Sequence, residues 1–325
     1  MNTSMSLSLF TASIICEMQK KMGEKYRVLS SIVKKNNGVE LTGIIIKEEG
    51  CNTSPTIYIN DFHEEYKRGL PLETIVERLC EIFYKNRYNG SINLSDFAVY
   101  EKARKQLAFK VINYEKNWEL LKEVPHKVFC NLAIVFYYVV SQSPFDGKAS
   151  ILIHLSHLKN WGISEEELYR DAMKNAPLIL PPQIENIEDV MIGLLEKGIS
   201  EEENRKEENN ERESINIFLG RLHAEKQKER IPLYVLSNNK KILGAACMLY
   251  PGVLQKFAEI VNCNLYVLPS SVHEVILLPE DENVSGASLL AMVTEINRTQ
   301  VEESEVLADS VYYYNKNTDK LERFA

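Results

Sequence analysis

The sequence predicts an α+β fold: small mixed sheets backed by helices, with a β-α-β-β-α order that occurs twice. Three observations predict it. Residues 263–279 hold two apolar runs, Leu265–Leu268 and Val272 with Val275–Leu278, joined by Pro269-Ser270-Ser271. Each run is of strand length and apolar on both faces, as in a strand covered on both sides. Asn36-Asn37-Gly38 separates two alternating runs, which is a hairpin signal because these residues tolerate positive φ. Leu72, Ile75, Val76, Leu79, Ile82 and Phe83 repeat at helical spacing and line one face.

Taken in order, residues 5–22 read as an amphipathic helix, since no basic leading segment makes them a signal peptide. Strands follow at 26–34, 39–47 and 55–59, then a helical turn at 61–68 closed by Gly69 and the helix that starts at Leu72. The middle region reads as a strand (107–114), a short helix (117–122), one long strand (128–140), a strand (149–154) and a helix opening at Ser164. Ser164 and Glu167 have the spacing of a capping box. The last region reads as a strand (233–236), a helix running to about Val261, the 263–279 hairpin, a helix (285–297) and a strand (310–314). Residues 316–319 read as a turn before a short tail.

This order divides the chain into an N-terminal α/β unit (1–100), a middle unit (101–196), a charged helical linker (197–230) and a C-terminal unit (231–325). Cys130-Asn131-Leu132 and Cys263-Asn264-Leu265 each open a central hairpin, and each hairpin leads to a helix containing Ala-Met. The pattern predicts a degenerate duplication. The hexapeptide GISEEE also occurs twice, at 162–167 and 198–203. Only the first copy continues into an apolar stripe, so the second predicts a solvated helix or linker.

Composition is that of a folded protein, with 45% hydrophobic and 26% charged residues. A net charge of −8 argues against non-specific nucleic-acid binding, which needs a basic surface. No run reaches membrane-spanning length. The six cysteines form no CxxC pair and most lie in apolar surroundings, which predicts reduced thiols in the cytoplasm.

No phosphate loop, no GxSxG elbow and no HExxH is present, so no metal and no cofactor are expected. His154 and His157 are three apart, but no further ligand cluster has zinc spacing. Asp61 reads as a helix cap in an acidic cluster with His63, Glu64 and Glu65. The candidate surface is Ser270, Ser271, His273 and Glu274, together with Asn238. If His273 and Glu274 lie in a strand they face opposite ways and cannot form one acid–base pair.

Asn37-Gly38 with Gly43, the run 54–58, residues 117–125, the run 234–238 with Gly244-Ala245, the run 268–274, Val306-Leu307 and the run 311–314 together resemble a bacterial family, domain-of-unknown-function family 5688. The Pro-Ser-Ser-x-His-Glu run carries the resemblance most specifically, and most of the chain apart from the charged linker is covered. The family brings no activity with it. The element order is more remotely similar to another uncharacterised bacterial family of the same size. The reading that results is a non-catalytic module that binds a protein or small-molecule partner, with no nucleic acid and no membrane involved. One alternative is a hydrolase-like enzyme that uses Ser270 or Ser271 with His273 and Glu274. The other is an adaptor in mobile-element or host-defence biology.

Overall fold

The computed structural model describes residues 5–88, 90–140, 149–190 and 232–324. The expected charged linker, 197–230, lies outside them. The architecture is α+β, as the sequence predicts. The chain divides into two compact units, one spanning residues 5–94 and the other formed by the described residues from 95 onward.

In the first unit, helix α1 (Leu7–Met22) starts at Ser6, whose hydroxyl accepts from Leu9 N–H, and stops at Gly23 in the positive-φ region (79°). Strands β1 (Tyr26–Lys34) and β2 (Glu40–Glu48) form an antiparallel hairpin, and β3 (Thr56–Tyr58) adds to β2. Asn37 takes φ 61° in the turn, as Asn-Gly predicts. Helices α2 (Asn60–Lys67) and α3 (Leu72–Asn86) follow. Phe10, Ile14 and Met18 of α1, at four-residue spacing, join Ile75, Leu79 and Phe83 of α3 and Ile44 and Ile46 of β2 in one core.

The second unit contains two antiparallel sheets. After α4 (Tyr100–Ala103), the middle sheet is built from β4 (Leu107–Asn113), β5 (His126–Phe129), β6 (Leu132–Val139) and β7 (Ser150–Leu152). Its order is β4-β6-β5, with β7 also paired to β6. Every residue of β6 is buried. The segment carrying α5 (Trp118–Leu121) covers one face, where Leu121 and Val124 join Ile112, Ala133 and Val135. Helices α6 (Leu155–Trp161) and α7 (Glu165–Ile179) follow, and the Ser164 hydroxyl accepts from Glu167 N–H at the start of α7.

The C-terminal sheet has the order β13-β12-β10-β11-β9-β8. Its strands are β8 (Pro182–Asn186), β9 (Tyr234–Asn238), β10 (Leu265–Pro269), β11 (Val275–Pro279), β12 (Tyr312–Asn315) and β13 (Lys320–Arg323). Helix α8 (Val253–Val261) precedes β10, and α9 (Gly286–Gln300) follows β11. Leu289, Val293 and Ile296 of α9 pack over Tyr266, Leu268, Ile276 and Leu278. The central hairpin is buried along nearly its whole length, as its two apolar faces predict. The two sheets meet where Tyr312 Oη donates to Asn131 Oδ1 (2.7 Å) and Asn131 Nδ2 donates to Ser310 Oγ (3.1 Å).

Several elements differ from expectation. The expected long strand 128–140 is cut at Cys130, which takes φ 51° and turns the chain between β5 and β6. The expected helix up to Val261 is a loop, a 3-10 turn at Gly244–Leu249 and then α8, with the break at Pro251-Gly252. Proline supplies no amide for a continuing helix, and Gly252 sits at φ 73°. Strands β8 and β13 were not expected, because both are short, polar edge strands without alternation.

The orders β4-β6-β5 and β9-β11-β10 are alike, each with the first strand beside the third. The tripeptide echo does not mark matching points: Cys130 lies between the hairpin strands, whereas Cys263 precedes β10.

Candidate functional site

The five residues 270–274 link β10 to β11 and form a tight loop. Ser271 N–H donates to Glu274 O (3.2 Å), and His273 N–H donates to Ser271 Oγ (3.0 Å). This corrects the expectation that His273 and Glu274 alternate along a strand, since β11 begins only at Val275. Local serine–backbone bonds offer the chain an alternative to the ladder, so the strand starts late.

Two other segments lock onto this loop. Val272 N–H donates to Glu305 O (2.9 Å), and Ala245 N–H donates to Val272 O (3.3 Å). Ser237 Oγ donates to His273 O (2.8 Å). The imidazole of His273 accepts from Leu243 N–H at Nδ1 (3.1 Å), and its Nε2 lies 3.6 Å from Glu305 Oε1. A backbone amide can donate only to an unprotonated nitrogen, so in the neutral ring the proton sits on Nε2, facing the carboxylate. Leu243 holds φ 54°, a left-handed conformation that costs a branched residue about 1 kcal/mol.

Asn238 is fully buried and closes its own loop: its Oδ1 accepts from Lys240 N–H (2.9 Å) and its Nδ2 donates to Ile242 O (2.7 Å). It shapes the site and presents no amide to solvent. Gly244 is required sterically. A Cβ there would run into Ser237 Oγ, Asn238 N at 2.6 Å and His273 O at 2.7 Å. The structure therefore brings Ser237, Asn238, Gly244, Ser271, His273 and Glu305 together. Ser271 is buried, while Ser270 and Glu274 are half-buried on the rim. Sequence reasoning missed Glu305, because residues 301–311 carry no periodic pattern that ties them to the hairpin.

Other candidate groups have structural partners. His157 Nδ1 accepts from His154 N–H (3.0 Å), and the His157 ring packs against Phe97 and Trp161. Burial, and then the neighbouring His154, lowers the His157 pKa. Among the described residues no three His, Cys, Asp or Glu side chains converge in a way that could hold a metal ion. All six cysteines are free. Burial pushes the Cys247 thiol up to about 12 and raises Cys80 and Cys263 as well. Such thiols are poor nucleophiles at neutral pH. His63 Nε2 lies 2.8 Å from Met5 O, and Glu64 pairs with Lys67. The three tyrosines of β12 bond to Asn131, Glu280 and Asp319. Among the described residues no helix is long and apolar enough to cross a membrane.

The fold and site together define an α+β protein whose most elaborate polar construction is a loop knot at one end of the C-terminal sheet. The chain belongs to the family of unknown function DUF5688, whose model matches residues 7–316. No curated protein and no solved structure matches it.

Proposed function

We propose that the chain is a non-catalytic binding module of the bacterial cytoplasm and that its recognition surface is the rim of the loop knot around Ser270 and Glu274. One observation carries this reading: His273 is engaged on both sides, by Leu243 N–H at Nδ1 and by the Glu305 carboxylate opposite Nε2. A general base needs a free lone pair within hydrogen-bond reach of the nucleophile's proton, and here a backbone amide occupies that position. The same bonds hold three loops in one arrangement, which lowers the entropy lost when a partner docks. The free thiols support a reducing compartment.

The hydrolase reading draws on the facing of imidazole and carboxylate at 3.6 Å, the orienting half of a nucleophile–base–acid array. It requires Leu243 N–H to leave Nδ1 and a serine hydroxyl to replace it.

The test compares the purified chain with Ser270→Arg and Glu274→Arg. A protein or metabolite retained from host extract by the wild-type chain, and lost by both folded variants, is the expected result. Retention by both variants overturns the assigned surface. Hydrolysis of ester or amide substrates that vanishes in His273→Gln overturns the non-catalytic reading.

A further inference from the structure

The outer edge of β1 is half plugged. Gln19 Nε2 donates to Tyr26 O (2.8 Å), and Gln19 Oε1 accepts from Val28 N–H (3.0 Å). A side-chain amide thus stands in for a neighbouring strand. Backbone groups of alternate strand residues point the same way, so Ser30, Ile32 and Lys34 also aim their N–H and C=O groups outward. Among the described residues the N–H groups of these three have no partner, and the Ile32 carbonyl meets only Ser31 Oγ at 3.4 Å. Ser30, Ser31 and Lys34 are exposed, and the Ile32 side chain is 67% exposed. No proline or bulge interrupts this edge, and its one charge between residues 28 and 34 is Lys34, at the turn end.

We infer that residues 30–34 of β1 pair antiparallel with the same residues of a second copy of this chain, about a two-fold axis at Ile32. The register follows from the edge itself. Centring on Ile32 sets Ser30 opposite Lys34, Ser31 opposite Val33, and Ile32 opposite its twin, so outward groups meet outward groups. Each lysine faces a serine, and no like charges are opposed. A centre nearer the start of the strand would bring in Val28, whose amide Gln19 already holds. A centre nearer the turn would shorten the ladder. Self-pairing also covers the most exposed apolar side chain of the strand. A two-fold contact is closed, so it yields a dimer and not a fibre.

Five residues a side bury well under the roughly 1,200 Å² of a stable interface, so the association is weak and concentration-dependent. Sedimentation of the full chain from micromolar to millimolar concentration tests it. The expected result is a mass that rises from monomer toward dimer. Ile32→Lys, which opposes two ammonium groups at the axis, should hold the chain at monomer mass. Ser30→Pro, which removes one outward donor and leaves the β1–β2 pairing intact, should weaken dimerisation. Amide exchange in the wild-type chain gives a measurement independent of variant folding: Ile32 and Lys34 amides should exchange more slowly at high concentration. A chain that stays monomeric to millimolar concentration overturns the inference. So does an Ile32→Lys variant that associates like wild type, or edge amides whose exchange ignores concentration.

Discussion

Single residues set the chemical character of this protein mainly by satisfying backbone groups. His273 and His157 both use Nδ1 as an acceptor for a main-chain amide, a role that only the unprotonated nitrogen can play. For His157 the direction of the pKa change gives a pH prediction. Its folded value lies below the unfolded value of about 6.5. The unfolded chain therefore binds the proton first as pH falls, and stability drops between about 6.5 and the lower folded value. Above that window the contribution is fully present. Denaturant titrations at a series of pH values should show this slope in wild type and its loss in His157→Ala, which should also be less stable at neutral pH. An unchanged slope in the variant would assign the effect to another group.

At the scale of elements, breaks matter as much as periodic runs. Cys130, at φ 51° and exposed, is the first residue of the two-residue turn between β5 and β6. A non-glycine side chain in that conformation costs about 1 kcal/mol, and glycine removes the clash at some expense in unfolded-chain entropy. Cys130→Gly should therefore stabilise the protein slightly, by up to about 0.5 kcal/mol, read as a higher denaturation midpoint. Asn131 should stay unchanged in that test, because it bonds Tyr312 and Ser310 across to the other sheet. A different reason holds for Gly244, where no positive φ is involved and the close approach of Ser237 Oγ and two backbone atoms excludes a Cβ.

At the scale of the molecule, β8 carries the chain into the C-terminal sheet before residues 191–231. It then pairs with the strand that resumes after them. Ile187 N–H already donates to Leu233 O (3.0 Å), so the two ends of that segment are fixed side by side. Gln183 is exposed on β8, and Gln183→Pro removes a backbone donor that faces β9, so it should lower stability by about 1–2 kcal/mol. Circular dichroism and a denaturation curve check this. An unchanged denaturation midpoint would show that β8 adds nothing to the sheet's stability.

The α+β class, the β1–β2 hairpin, α1, α3, α7 and the buried β10–β11 pair were legible in the sequence, because each rests on local periodicity and a terminating residue. Ser164 and the Asn37-Gly38 turn carry their own boundary chemistry. Tertiary structure alone decided the remainder. The edge strands β8 and β13 have polar sequences and exist because β9 and β12 offer them a ladder. The position of His273 depends on amides from residues 243 and 245 and on Glu305, about thirty residues away on either side. Hydrogen bonds between distant segments leave no period in the chain, so the residues of the loop knot could be suspected singly but not assembled.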